Sequence, residues 1–222
     1  MKKLFSSFKP IFRNYFLILL VYFFFYISSG GMENNIPFLF EKRIGNSLYG
    51  IFLSLLSIMD VVLPLLIVYF SKKFTPLAVG GLSLLLGAGA AVGISLTENK
   101  AVIFAGLFLI YCVRIMFNYS AGNSFNLAVP SEEWTGYFAL RDIFLYGAIA
   151  ISTWLSGWLI GKWNMEAAYG FLSVGFLIAL VFTWNGRKWI QREEEEKIHL
   201  KEYIEQIGNC LLYTSPSPRD RG

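Results

Sequence analysis

Six apolar blocks, each about as long as a bilayer crossing, constrain this chain more than any other feature. They cover approximately residues 15–40, 47–70, 77–96, 101–129, 137–161 and 166–184. A hydrocarbon layer of ~30 Å takes about 20 residues of helix at 1.5 Å per residue. Lipid offers no partner for backbone N–H and C=O groups, so blocks of this kind cross it as closed helices. The expected fold is an all-α membrane protein with six transmembrane helices. Composition agrees: of 222 residues, 55% are hydrophobic, 18% aromatic and 15% charged, with a mean hydropathy of +0.53. A soluble domain carries closer to about 25% charged residues. The first block is too long for a signal-peptide core and lacks a small-residue cleavage site, so it reads as a retained helix.

The net charge of +4 and sequence pI near 9.0 would suggest nucleic acid as a partner for a soluble protein. Here the basic residues flank apolar blocks, which is the mark of membrane orientation. With the N-terminus inside, the inner side holds Lys2, Lys3, Lys9, Arg13, Lys72, Lys73, Arg141, Arg187, Lys188, Arg192, Lys197 and Lys201. The outer side holds Lys42, Arg43, Lys100 and Lys162. Twelve against four puts both ends in the cytoplasm. Residues 1–14 are then a cytosolic N-terminus. Residues 186–209 are a cytosolic helix with the run Glu193-Glu194-Glu195-Glu196, and Leu200, Tyr203, Ile204 and Ile207 on one face. That face suits either a solvated linker helix or a partner-binding element.

Residues 210–222 have a different character. Cys210 to Asp220 reads CLLYTSPSPRD and resembles the translation of a common transposase-type sequencing adapter. The tail is expected to be non-native, and the natural chain is expected to continue beyond Asn209. Setting Cys210 aside leaves Cys112 alone in an apolar block, so no disulfide and no metal site follows.

Ionisable side chains inside lipid are costly and mark function or pairing. Three stand out: Glu33, Asp60 and Arg114. Asp60 and Arg114 each lie about 20 Å from the outer face, counting along their helices. Equal depth predicts an Asp60–Arg114 ion pair, serving either helix packing or proton and substrate coupling. Glu33 sits near the outer end of the first block. With Asn34 and Asn35 it is placed either to line an outer vestibule or to reach interfacial water. Asn118 shares a face with Arg114, four residues away. Asn123 and Asn126 lie further down the same block. These asparagines suit polar-solute recognition and interhelical hydrogen bonding alike.

Other residues read as structure. Gly87, Gly89 and Gly93, and the pair Gly157 and Gly161, have the spacing of close helix packing. Phe23-Phe24-Phe25-Tyr26 reads as lipid-facing bulk. Trp158, Trp163 and Trp184 fall near block ends, as interfacial anchors do. Glu132 and Glu133 are placed to cap the loop entering the fifth helix.

Several enzyme classes are excluded. The single histidine, His199, lies on the cytosolic segment, which removes Ser-His intramembrane proteases and His-ligated metal enzymes. There is no paired-Asp diphosphate motif and no Gly-rich nucleotide loop. Glu132-Glu133 lacks the following Arg and the intramembrane histidines of a Glu-Glu protease. No cofactor is expected.

A weak repeat of about 92 residues relates Gly30–Pro37 to Gly122–Pro130, each a Gly/Asn-rich stretch closed by Pro. An inverted three-plus-three repeat produces this, with the similar stretches on opposite membrane faces. So does the ordinary gathering of Gly, Asn and Pro at helix ends.

Helix count, orientation and loop lengths make the chain, over about residues 10–209, resemble the N-terminal half of the major facilitator superfamily plus the start of its central loop. That family's signature between helices two and three is Gly-x-x-x-Asp-Arg/Lys-x-Gly-Arg/Lys. Here Ile67–Pro76 keeps the basic pair Lys72-Lys73 and lacks the acidic residue and both glycines. Arg114 is placed like the buried Arg of helix four in many members. The Gly-Pro motif of drug/proton antiporters is absent from Gly147 to Gly161, which points away from that subgroup.

The resemblance implies an inverted 3+3 repeat forming half of a twelve-helix fold in the cytoplasmic membrane. It implies a secondary transporter, with the solute path along helices one and four and no enzymatic activity. It also implies three partners beside the lipid bilayer: a C-terminal six-helix half, a small solute, and a coupling proton or cation. Two other architectures share the helix count. A permease subunit of an ATP-driven transporter needs larger cytoplasmic loops than Ser71–Pro76 and Pro130–Tyr137. A channel or assembly protein needs a natural stop after the sixth helix.

Overall fold

The computed structural model describes residues 2–71 and 73–186. Among these, every regular element is helical, and six helices are long and apolar enough to cross a membrane. Their spans are Ile11–Ile44, Asn46–Tyr69, Pro76–Ser95, Lys100–Asn126, Ser131–Lys162 and Met165–Asn185. The expected blocks match these within a few residues. Lys72, the 186–209 helix beyond Gly186, and the 210–222 tail lie outside the described residues.

Local chemistry sets the helix starts. Thr75 caps the third span, its Oγ1 accepting from the Ala78 N–H at 3.3 Å, and Pro76 takes the first helical position, where no N–H is needed. Asn99 accepts from the Ala101 N–H at 2.9 Å at the start of the fourth span. Asn164 accepts from Ala167 at 2.7 Å at the start of the sixth. Between the first two spans the chain turns at Gly45, whose φ of 114° is open to glycine at little steric cost.

The first span departs from expectation. The long helix Lys2–Glu33 gives way at Asn34–Asn35, but the span resumes as the short helix Ile36–Leu39 and a π-helical turn, Phe40–Ile44. Pro37 sits in the first turn of that short helix, where proline is tolerated. Gly30–Pro37 therefore breaks the span rather than ending it. The fourth span has its own π turn at Asn118–Gly122, then the helix Asn123–Leu127.

The first, third, fourth and sixth spans form the centre. Phe25 is fully buried, stacked on Phe117 with ring centroids 4.1 Å apart and 5.8 Å from Phe176. Burying such rings is worth about 2–3 kcal/mol each by area, part of which lipid would supply in any case. The second and fifth spans lie outermost. Only 17% and 22% of their most apolar windows are buried, against 61% for the first. The first span packs on the fifth and sixth, the third on the fourth and sixth, and the second on the fourth.

Packing corrects several expectations. Gly87 is a close approach, since a Cβ there would meet Val113 at 3.0 Å and Phe176 at 3.2 Å. Gly89, Gly93, Gly157 and Gly161 have nothing within 4 Å of an added Cβ, so their spacing reflects no helix contact. The tight crossings are elsewhere: Gly80 against Ala121 in the π turn, and Gly175 against Ser28 and the Phe24 carbonyl. Phe23-Phe24-Phe25-Tyr26 is not lipid-facing bulk, because a helix turns consecutive residues through all directions. Phe25 lies in the core and the other three are half-buried. Glu133 makes no side-chain cap; its Oε2 accepts the Tyr15 hydroxyl at 2.7 Å, tying the first span to the fifth. Arg141, within the fifth span, is paired with its neighbour Asp142 at 2.8 Å.

Both ends of the bundle are tied by polar contacts. At one end Arg43 pairs with Glu166 and lies 3.9 Å from Glu98, joining the end of the first span, the start of the sixth and the third–fourth connection. Trp158, Trp163 and Trp184 are exposed near helix ends, as expected.

Candidate functional site

Antiparallel contact between the first and fourth spans brings the polar residues together. Residue numbers rise on one span as they fall on the other. Glu33 meets Arg114, Tyr26 meets Asn118, and Tyr22 meets Gly122 and Asn126. Helical periodicity explains the set. Positions 22, 26 and 33 lie near one stripe of the first span, and 114, 118, 122 and 126 repeat every four residues on the fourth.

The centre of the site is an ion pair. Arg114 Nη1 donates to Glu33 Oε2 at 2.8 Å, with the side chains 32% and 18% exposed. This replaces the expected Asp60–Arg114 pair. Asp60 instead accepts the Tyr111 hydroxyl at 2.7 Å through Oδ2, and the Arg114 guanidinium lies 4.6 Å from the centre of the Tyr111 ring. The expectation failed because it placed Glu33 near a helix end. With the span continuing to Ile44, Glu33 lies about 16 Å in from that end, and Arg114 lies about 21 Å in from Lys100. Asp60 is about 21 Å in from Asn46. All three ionisable groups are thus in the middle of their spans. The cluster thus holds two carboxyl groups and one guanidinium.

Local backbone supports this arrangement. Pro64 lies inside the second helix. It has no N–H to donate, so the Asp60 carbonyl loses its helical partner. Asn35 Nδ2 donates to the Gly31 carbonyl at 2.5 Å, at the break after Glu33. Asn34 Nδ2 donates to Thr153 Oγ1 at 2.6 Å, linking the break to the fifth span. The fully buried Tyr169 donates to the Met32 carbonyl at 2.9 Å. Glu33 is therefore held from both sides.

A cavity of about 330 Å³ opens beside the pair. Its wall includes Glu33, Asn34, Tyr49, Phe52, Leu53 and Tyr111. Glu33 Oε1 is buried and has no hydrogen-bond partner. Asn35 was expected to share this vestibule with Glu33 and Asn34, and it does not line the cavity. A second hollow of about 350 Å³, between the second and third spans, is lined only by apolar side chains such as Leu66, Phe74 and Leu82.

Below the ion pair the polar file continues. Asn118 Nδ2 donates to the Tyr26 hydroxyl at 3.1 Å. Tyr22 donates to the Gly122 carbonyl at 2.9 Å and to Asn126 Oδ1 at 3.2 Å, and Tyr137 donates to the same oxygen at 3.4 Å. Arg141 lies over the Phe138 ring at 4.7 Å. Asn123 is exposed and outside the file. Lys73 is exposed at the second–third turn, remote in sequence from the cluster.

Sequence reasoning misses the tyrosines of the site. Tyr22, Tyr26, Tyr111 and Tyr137 sit in apolar runs, where hydropathy counts them with the bulk. A signal was available: Tyr22 and Tyr26 are four apart, like Arg114 and Asn118, so each pair marks one face. Among the described residues no group of His, Cys, Asp and Glu is arranged to hold a metal ion. Cys112 is buried and unpaired with any other cysteine. No family model, no curated protein and no solved structure matches the chain.

Proposed function

We propose that this chain is the first six-helix half of a secondary transporter of the major facilitator type, carrying a small solute along the first and fourth spans. The observation that carries this is the exposed carboxylate of Asp60 in the middle of an apolar span, beside the half-buried Glu33–Arg114 pair. A charge facing hydrocarbon at that depth costs about 3 kcal/mol or more. Such a group is retained where it faces a water-filled path or another protein surface. The cavity along Glu33, Asn34 and Tyr111 supplies the beginning of such a path.

The packing pattern adds support for an inverted repeat. Exchanging spans one, two and three for four, five and six turns the first–sixth contact into the fourth–third contact. It turns the first–fifth contact into the fourth–second, and maps the third–sixth contact onto itself. The outer position of the second and fifth spans leaves them as the surface for a second six-helix half. In this proposal the N-terminus is cytoplasmic, as the basic residues imply. Glu33 and Asp60 are the groups that would carry a coupling proton or cation.

The source DNA tests this directly. An open frame continuing past Asn209 into about six more apolar helices is expected. A stop codon soon after Asn209 would overturn it in favour of a complete six-helix permease subunit, channel or assembly protein.

A further inference from the structure

The cavity wall is chemically one-sided. Its one charged group is Glu33, since Arg114 is turned to the Glu33 Oε2 and the Tyr111 ring and does not line the hollow. The second oxygen of that carboxylate, Oε1, is buried without a donor. A buried acceptor left unpaired is costly, and a rotation of the Glu33 side chain that turns this oxygen to the cavity lets an incoming donor pair it. One of the two Asn34 amide hydrogens is committed to Thr153, and the Tyr111 hydroxyl hydrogen to Asp60. The one charged group that faces a ligand is therefore a carboxyl, with no cationic side chain in the wall. Facing them are the rings of Tyr49 and Phe52 and the side chain of Leu53.

We infer that the cavity binds a small organic amine as its ammonium ion, with the N–H groups on Glu33 and an apolar or aromatic body against Tyr49 and Phe52. Ammonium also suits the π faces of those rings. The volume of about 330 Å³ accommodates a ligand of about ten heavy atoms, judged against ~30 Å³ for each water in the liquid. A carboxylate ligand would meet the Glu33 carboxyl with no free guanidinium in the wall to receive it. The inference names a solute class for the transport proposal and rests on it only for the movement of that solute; binding stands independently.

The test is calorimetric titration of the full chain in lipid nanodiscs with three probes of one shape: 2-phenylethylammonium, 2-phenylethanol and phenylacetate. The ammonium should bind at least about tenfold tighter than the alcohol, as a charge-assisted hydrogen bond requires, and phenylacetate should not bind. Glu33→Gln should abolish that preference. Asn34→Leu, which keeps the ion pair, should weaken ammonium binding and serves if Glu33→Gln fails to fold. Equal affinities, tighter binding of phenylacetate, a preference kept in Glu33→Gln, or no binding by any probe would overturn the amine assignment. None of these outcomes bears on the reading frame beyond Asn209, so the transport proposal stands or falls separately.

Discussion

Replacing Glu33 by Gln and Arg114 by Gln, singly and together, probes the ion pair at the centre of the bundle. With the donor and acceptor 2.8 Å apart, the charge centres lie about 4 Å apart. At an effective dielectric of ~20 their attraction is about 4 kcal/mol. Both side chains keep some exposure, which trims the coupling to about 2–3 kcal/mol. Glu33→Gln leaves Arg114 with the Tyr111 ring and nearby Asp60, so a loss of about 2 kcal/mol is expected. Arg114→Gln leaves two carboxylates without a counter-charge, and a loss of about 3–4 kcal/mol is expected. The double variant should lose about as much as Arg114→Gln or less, well short of the sum. Equilibrium unfolding of the full chain in mixed micelles, followed by tryptophan fluorescence against SDS content, measures all three. Losses that add to within about 0.5 kcal/mol would refute the pair. The same cycle with Asp60→Asn in place of Glu33→Gln should show coupling below about 1 kcal/mol. A larger coupling there would assign Arg114 to Asp60 instead.

Three further outcomes follow from particular contacts. Gly175→Ala should destabilise by about 1–3 kcal/mol, because its Cβ would meet the Phe24 carbonyl at 2.9 Å; Gly157→Ala, with open space around it, should be neutral by the same unfolding measurement. Tyr22→Phe removes the one hydroxyl donor that Gly122 and Asn126 share and should cost about 1–2 kcal/mol, whereas Tyr119→Phe, at an exposed site, should cost nothing measurable. Arg43→Ala leaves the part-buried Glu166 unpaired as well as the exposed Glu98, and should cost about 1–2 kcal/mol by the same measurement, part of it vanishing as salt is raised.

Much of the fold was legible because the bilayer sets a length that hydropathy reveals. The six spans, Gly87 as a close approach, and the exposed tryptophans all follow from one-dimensional signals. The site was legible only in part. Glu33, Asp60 and Arg114 stood out as charges in apolar blocks, and Asn118 and Asn126 as companions of Arg114. Which carboxylate meets Arg114 depends on whether Asn34–Asn35 ends the first span or interrupts it, and Gly, Asn and Pro signal both. The asparagine hydrogen bonds and the short helix after Asn35 decide it, and neither is readable from spacing. The glycine expectations failed for a related reason. A close crossing needs a small residue on both helices, and the partners Ala121 and Ser28 lie 41 and 147 residues from Gly80 and Gly175.

The most direct test is whether water reaches the middle of the bundle beside Asp60. In a background with Cys112 and Cys210 replaced by Ser, single cysteines at Asp60, at Glu98 in an end connection, and at Leu85 on the exposed face of the third span are treated in membranes with a charged, membrane-impermeant thiol reagent. The cysteine at Asp60 should react as the one at Glu98 does, while that at Leu85 stays unmodified. A cysteine at Asp60 as inert as the one at Leu85 would contradict a solute path at this site.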